Sequence, residues 1–101
     1  MAQKLKAVFS KTGDLRFISH LDLVRLFQRA SRRAGLPVTV TKGFSPHLKI
    51  SILRALKLGL ASEGEEAIFH METSVPPDIF IGALNSKLPE GVRIKNIEEV
   101  K

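Results

Sequence analysis

A chain of 101 residues, 44% hydrophobic and 26% charged, has the size and composition of one globular domain, and folding at that length buries roughly 65% of the extended-chain surface. With no Cys, a disulfide, a thiolate metal site and a cysteine nucleophile are excluded, three His with scattered carboxylates predict no metal site, and no apolar run is long enough for a signal peptide or a membrane span. The net charge of +6 divides unevenly, with 12 Lys or Arg against Asp14 and Asp22 in residues 1–57 and four against eight acids in residues 58–101.

Residues 4–10 alternate, with Leu5, Ala7 and Phe9 against Lys4, Lys6 and Ser10, which predicts a half-buried strand. Thr12-Gly13-Asp14 predicts a turn, and Leu15 to Ile18 a short extended return. Ser19 then precedes an apolar-periodic run with Asp22 three positions on, a capping-box pattern with Asp in place of Glu. The helix it opens runs to Ala34, where Gly35 supplies a left-handed cap and Pro37 a stop. At about 100° per residue, Leu23, Leu26, Phe27, Ala30 and Ala34 share one face, and Arg25, Arg29, Arg32 and Arg33 share the opposite one.

Val38 to Lys42 predicts a strand, Gly43-Phe-Ser-Pro46 a break, and Leu48 to Leu53 a further strand that residues 54–60 either extend or leave as a loop. A turn over Ala61 to Gly64 and a strand over Glu66 to Thr73 follow, the latter facing His70 away from its apolar side. Pro76-Pro77-Asp78 opens a second helix, with Ile79, Phe80, Ala83, Leu84 and Leu88 as its buried stripe and Gly82 allowing close packing on the sheet. Pro89-Glu90-Gly91 predicts a turn, and Val92 to Ile97 the last strand. This order predicts an α+β, ferredoxin-like sandwich, an antiparallel sheet of about four to five strands with two helices on one face, in one domain over residues 1–101.

The four arginines in one helical sector, with Asp22 as the acid among them, repel one another unless an anion relieves them, and the guanidinium fork suits phosphate. Lys42, Lys49, Arg54 and Lys57 extend that basic surface. The plain alternative is a solvated helix face. His20 beside the helix start and His47 in a tight turn are the candidates for acid–base RNA cleavage without metal, a chemistry that needs one base and one acid. The plain alternatives are a partly buried His20 bonded to a neighbouring backbone group and a His47 that is a surface turn residue. Phe44 reads as a plug for the core, with a base-stacking platform as the alternative.

Three segments, Lys11-Thr-Gly-Asp-Leu-Arg-Phe-Ile-Ser-His-Leu-Asp22, Arg32-Arg-Ala-Gly-Leu-Pro37 and Gly43-Phe-Ser-Pro-His47, resemble the motifs of an uncharacterised bacterial family linked to radical SAM proteins. In that family the domain stands alone or at the carboxyl end of a radical SAM enzyme. The resemblance runs from Lys6 to about Val100, and its motif residues here include Arg16, Phe17, Ser19, His20, Asp22, Gly43, Phe44, Pro46 and His47. The chain departs from the family pattern at Ser45, at Leu48 and at Ala55-Leu56-Lys57. Members tend to continue further, so the chain is open to being the first part of a longer unit.

The resemblance implies a radical SAM enzyme as partner and a link to RNA modification, and it supplies no catalytic residue. An iron–sulfur cluster and S-adenosylmethionine would then belong to the partner enzyme, with no cofactor expected in this chain. The expectation is a soluble, cytoplasmic, non-catalytic accessory module that binds RNA through the arginine face of its first helix, with no membrane partner. Two alternatives stay open: a domain docking an acidic protein, and a metal-independent ribonuclease using His20 and His47. The sequence leaves the oligomeric state open.

Overall fold

Alternation at the amino terminus produces a strand that becomes the centre of the sheet. The computed structural model describes residues 3–53 and 62–100. The segment 54–60, Ala61, and with them Arg54 and Lys57 of the predicted basic surface, lie outside the described residues. In chain order the elements are β1 (Gln3–Lys11), a 3-10 helix (Gly13–Phe17), α1 (His20–Arg33), β2 (Ile50–Ile52), β3 (Ser62–Met71), α2 (Pro77–Asn85) and β4 (Val92–Glu99). The sheet order is β2-β3-β1-β4 with every neighbouring pair antiparallel. This is the predicted α+β arrangement, consistent with a ferredoxin-like sandwich.

Both helices pack on the same side of the sheet. Leu5, Ala7 and Phe9 of β1 and Ala67, Phe69 and Met71 of β3 are buried there with Leu23, Phe27 and Ala30 of α1 and Phe80 and Leu84 of α2. Four phenylalanines run through this layer in edge-to-face contact. Phe9 meets Phe27 at 5.0 Å, Phe27 meets Phe69 at 5.8 Å, and Phe69 meets Phe80 at 5.0 Å. Such pairs contribute about 0.5–1.5 kcal/mol each beyond their burial, so this ladder joins both helices to both central strands.

Helix α1 begins and ends as its residues require. Ser19 Oγ accepts the Asp22 amide at 3.1 Å, while the Asp22 carboxylate turns outward instead of closing the second half of a capping box. At the far end Gly35 takes φ +69, its amide bonds Arg32 O, and the Leu36 amide bonds Ser31 O. That pair of bonds is the Schellman closure, and it depends on a left-handed residue.

Several expectations change on the tertiary level. Leu15 to Ile18 is not extended: Gly13 at φ +61 turns the chain into a 3-10 helix, closed by the Ile18 amide on Leu15 O. Val38 to Lys42 makes only single bridges, Val38 with Met71 and Val40 with Leu48, so it is a hairpin arm beside β2 and not a fifth strand. The predicted turn at Ala61 to Gly64 gives way to β3 from Ser62, because Lys11 pairs with Ser62 and prolongs the ladder. In α2 the buried residues are Phe80 and Leu84. Ile79 faces solvent, and a Cβ at Gly82 would meet nothing, so that glycine does not serve close packing.

A bulge in β1 also moves a charge inward. The register shifts between Val8 and Phe9 against β4 and between Phe9 and Lys11 against β3. Lys11 is thereby fully buried, and its Nζ donates to Arg16 O at 3.2 Å. The lysine holds the 3-10 helix from below, an inward turn that strict alternation would not place there.

Candidate anion-binding surfaces

Arg25, Arg29, Arg32 and Arg33 are all exposed on the side of α1 away from the sheet. Asp22 Oδ1 reaches Arg25 Nη1 at 3.6 Å, with both side chains well exposed, and Arg29, Arg32 and Arg33 have no ion-pair partner among the described residues. Positions 25, 29 and 33 climb about 6 Å per step along one line of the helix. Asp22, Arg25, Gln28, Arg29 and Arg32 share one shallow concavity. Arg29 and Arg33 also wall a groove of about 560 Å³, whose far side carries Ser86, Lys87, Leu88 and Pro89. Lys87 thus joins the basic surface, a residue the pattern of the sequence did not single out.

The hairpin after α1 holds the second predicted cluster. His47 Nδ1 lies 2.9 Å from Ser45 O and 3.3 Å from Thr41 Oγ1, and the His47 amide donates to Thr41 Oγ1 at 3.2 Å. The imidazole therefore shapes the Gly43–His47 turn, with Gly43 at φ +144 opening it. Phe44 does not plug the core. It is fully exposed at the tip of this hairpin, and Lys42 is exposed two residues before it.

The topology separates the two histidines. His20 opens α1, which follows the carboxyl end of β1, whereas His47 precedes the amino end of β2. With β1 and β2 both antiparallel to β3, these points lie at opposite ends of the sheet. No shared acid–base centre forms from His20 and His47. Lys49 is likewise parted from the arginines: its neighbours across the ladder face the open side of the sheet, opposite α1, so it does not extend the α1 surface.

That open side is built from alternate residues of the strands. Lys4, Lys6 and Val8 of β1 and Glu66, Ile68 and His70 of β3 occupy its centre. None of these six is Phe, Tyr or Trp, and the His70 imidazole is the one ring among them, so the central strands lack the paired aromatic residues on which four-stranded RNA-binding sheets stack bases. Lys6 Nζ contacts Glu98 at 2.9 Å and Glu66 at 3.4 Å, and its bonds to Glu98 and then Glu66 hold its pKa above the usual lysine value. One step along the strands, Lys4 pairs with His70, and the His70 amide donates to Lys49 O at 3.1 Å. Burial first, then the charges of Lys49 and Lys4, lower the His70 pKa below the ordinary 6.5. Lys4, Lys49 and His70 line a depression of about 550 Å³ together with Gln3, Thr39, Met71, Glu99 and Val100.

Among known proteins, the model of a family described as an uncharacterised protein conserved in bacteria (DUF2344) matches residues 4–101. The chain belongs to this family. No curated protein matches it.

Much of what marks the family's motifs in this chain is architectural. Within Lys11–Asp22, Lys11 anchors the 3-10 helix that Gly13 opens, Arg16 Nη1 donates to Gly13 O at 3.0 Å and stacks over Phe17 at 4.4 Å, and Ser19 caps α1. Within Arg32–Pro37, Gly35 closes the helix. Exposed residues of these segments include Phe17, His20, Arg32, Arg33 and Phe44. Among the described residues no group of three or more His, Asp or Glu is placed to hold a metal, and no helix is long and apolar enough to cross a membrane.

Proposed function

We propose that this domain binds RNA through the outward face of α1, as a non-catalytic accessory module. The observation that carries the reading is four exposed arginines on one helix flank with a single carboxylate, Asp22, against them. Electrostatic attraction of this kind is independent of base sequence, and guanidinium groups grip phosphate oxygens in pairs. The groove between α1 and the turn after α2 supports it further, since Lys87 faces Arg29 and Arg33 across it. The open faces of β1 and β3 carry no Phe, Tyr or Trp, which favours the helix over the sheet as the RNA surface.

The companion of this module is a radical SAM enzyme acting on RNA in the cytoplasm, which would bring the iron–sulfur cluster and S-adenosylmethionine. Support for that partnership comes from the motif resemblance, with no contribution from the arginine geometry. Separation of His20 from His47 speaks against the domain cutting RNA with that pair.

The test is filter retention of mixed single-stranded RNA by the wild type and by a variant with Arg25, Arg29 and Arg33 each changed to Glu. The variant loses retention while keeping the wild-type circular dichroism. A wild type that fails to retain RNA at low salt ends the proposal. Recovery of an acidic protein in a nuclease-resistant pull-down, without RNA affinity, moves the arginine face to protein docking.

A further inference from the structure

The open face of the sheet treats two neighbouring lysines of β1 differently. Lys6 is met by carboxylates from both flanking strands, Glu66 on β3 and Glu98 on β4. Lys4 is met by His70 on β3, and beyond His70 the same row continues to Lys49. Neither Lys4 nor Lys49 has an ion-pair partner among the described residues. Lys4 and Lys49 stand two strands apart with His70 between them, so a charged imidazole there would meet a like charge on either side, an arrangement that destabilises a sheet and that Lys6 avoids. One carboxylate, Glu99 on β4, lines the same depression, but its Oε2 accepts from Gln3 Nε2 at 3.0 Å. Gln3 is itself engaged, since its Oε1 accepts the Val75 amide at 3.0 Å.

We propose that Lys4, His70 and Lys49, with the Thr39 hydroxyl beside them, form a binding site for a phosphomonoester group on the open face of the sheet. Strands two apart stand about 10 Å from each other, so Lys4 and Lys49 flank His70 at a separation that two lysine side chains close around one phosphate. A phosphomonoester carries about −1.5 to −2 charge near neutrality, which matches the two ammonium groups, and a phosphodiester carries less. The depression, at about 550 Å³, has room for the phosphorylated end of a small molecule or of a nucleic acid. His70 adds a sensor: burial, then the charges of Lys49 and Lys4, lower its pKa, and an anion between those lysines raises it again. The site lies on the face opposite the α1 arginines, so it stands or falls apart from the RNA reading.

The experiment follows the three imidazoles by NMR as orthophosphate is added at constant ionic strength. The expected result is an upward movement of the His70 pKa, with His20 and His47 unmoved. A Lys4→Gln/Lys49→Gln variant with a native amide spectrum loses that response. No movement of His70, or equal movement of all three histidines, overturns the proposal. Short RNA with a 5′-phosphate and the same RNA with a 5′-hydroxyl identify the source. A response to the phosphorylated end alone assigns a nucleic-acid terminus, and a response to orthophosphate but neither RNA assigns a small phosphorylated molecule. Equal responses to both RNAs show phosphodiester binding and overturn the monoester assignment. Arg29→Glu/Arg33→Glu leaves the His70 response intact, which separates failure here from failure of the α1 interface.

Discussion

Arg29 is the position where stability and RNA binding are expected to move in opposite directions. It stands four residues from Arg25 and Arg33 and three from Arg32, and among the described residues the one ion pair on this face is the Asp22–Arg25 contact at 3.6 Å. Like-charge pairs at such spacings cost about 0.2–0.5 kcal/mol each, and opposite pairs return a similar amount. Arg29→Glu exchanges three repulsions for three attractions, a gross change near 2 kcal/mol, which screening at the exposed surface reduces to about 1 kcal/mol. For a domain of this size that raises Tm by about 4 °C. RNA affinity should fall in the same variant. If the four arginines engage four phosphates of a single strand, the log–log salt slope is about −2.8, or roughly fifty-fold weakening from about 50 mM to about 200 mM salt. Losing one contact lowers that slope by about 0.7. The assays are thermal melting by circular dichroism and a salt-titrated fluorescence anisotropy series on single-stranded RNA. A variant that melts higher and binds RNA with the wild-type slope refutes the interface, and one that melts lower refutes the electrostatic account of the face.

Four further outcomes follow from the packing. Ser31 Oγ is fully buried with no hydrogen-bond partner among the described residues, so Ser31→Ala should stabilise by about 1 kcal/mol in a denaturant titration, and a loss of that size would contradict the orphaned hydroxyl. Gly91 has φ +104, and a Cβ there would approach Thr12 O at 2.8 Å, so Gly91→Ala should cost about 2 kcal/mol or more. Gly82→Ala, with open space around it, should instead gain about 0.8 kcal/mol, and both are read from the same unfolding curves. His70 binds its proton less readily folded than unfolded, so stability is full above pH 6.5 and declines as pH falls below it, and His70→Gln should flatten that decline in a pH series of melts.

Legibility in the sequence followed the range of the forces involved. Helix α1 was readable from Ser19 to Gly35 because its cap, periodicity and stop are local, and the arginine flank came with the periodicity. The identity of the sheet face was readable in the same way, since alternation assigns Leu5, Ala7 and Phe9 to one side whatever their partners. Register was not. Lys4, His70 and Lys49 become one row only once β1, β3 and the chain before β2 are paired, and no window of the sequence contains all three. The inward turn of Lys11 depends on a bulge opposite two other strands, and the outward position of Phe44 depends on a hairpin held by His47 and Thr41.

Taken alone, then, the residue order determined the fold class, the amphipathic first helix and an excess of positive charge in the first half of the chain. Tertiary structure decided which charges meet. Cross-strand pairing neutralised Lys6 with Glu66 and Glu98, left Lys4 and Lys49 on either side of His70, and set His20 and His47 at opposite ends of the sheet. The physical reason is range: capping and periodicity act within a few residues, whereas the neighbours that tune a charge are chosen by strand register and chain crossover.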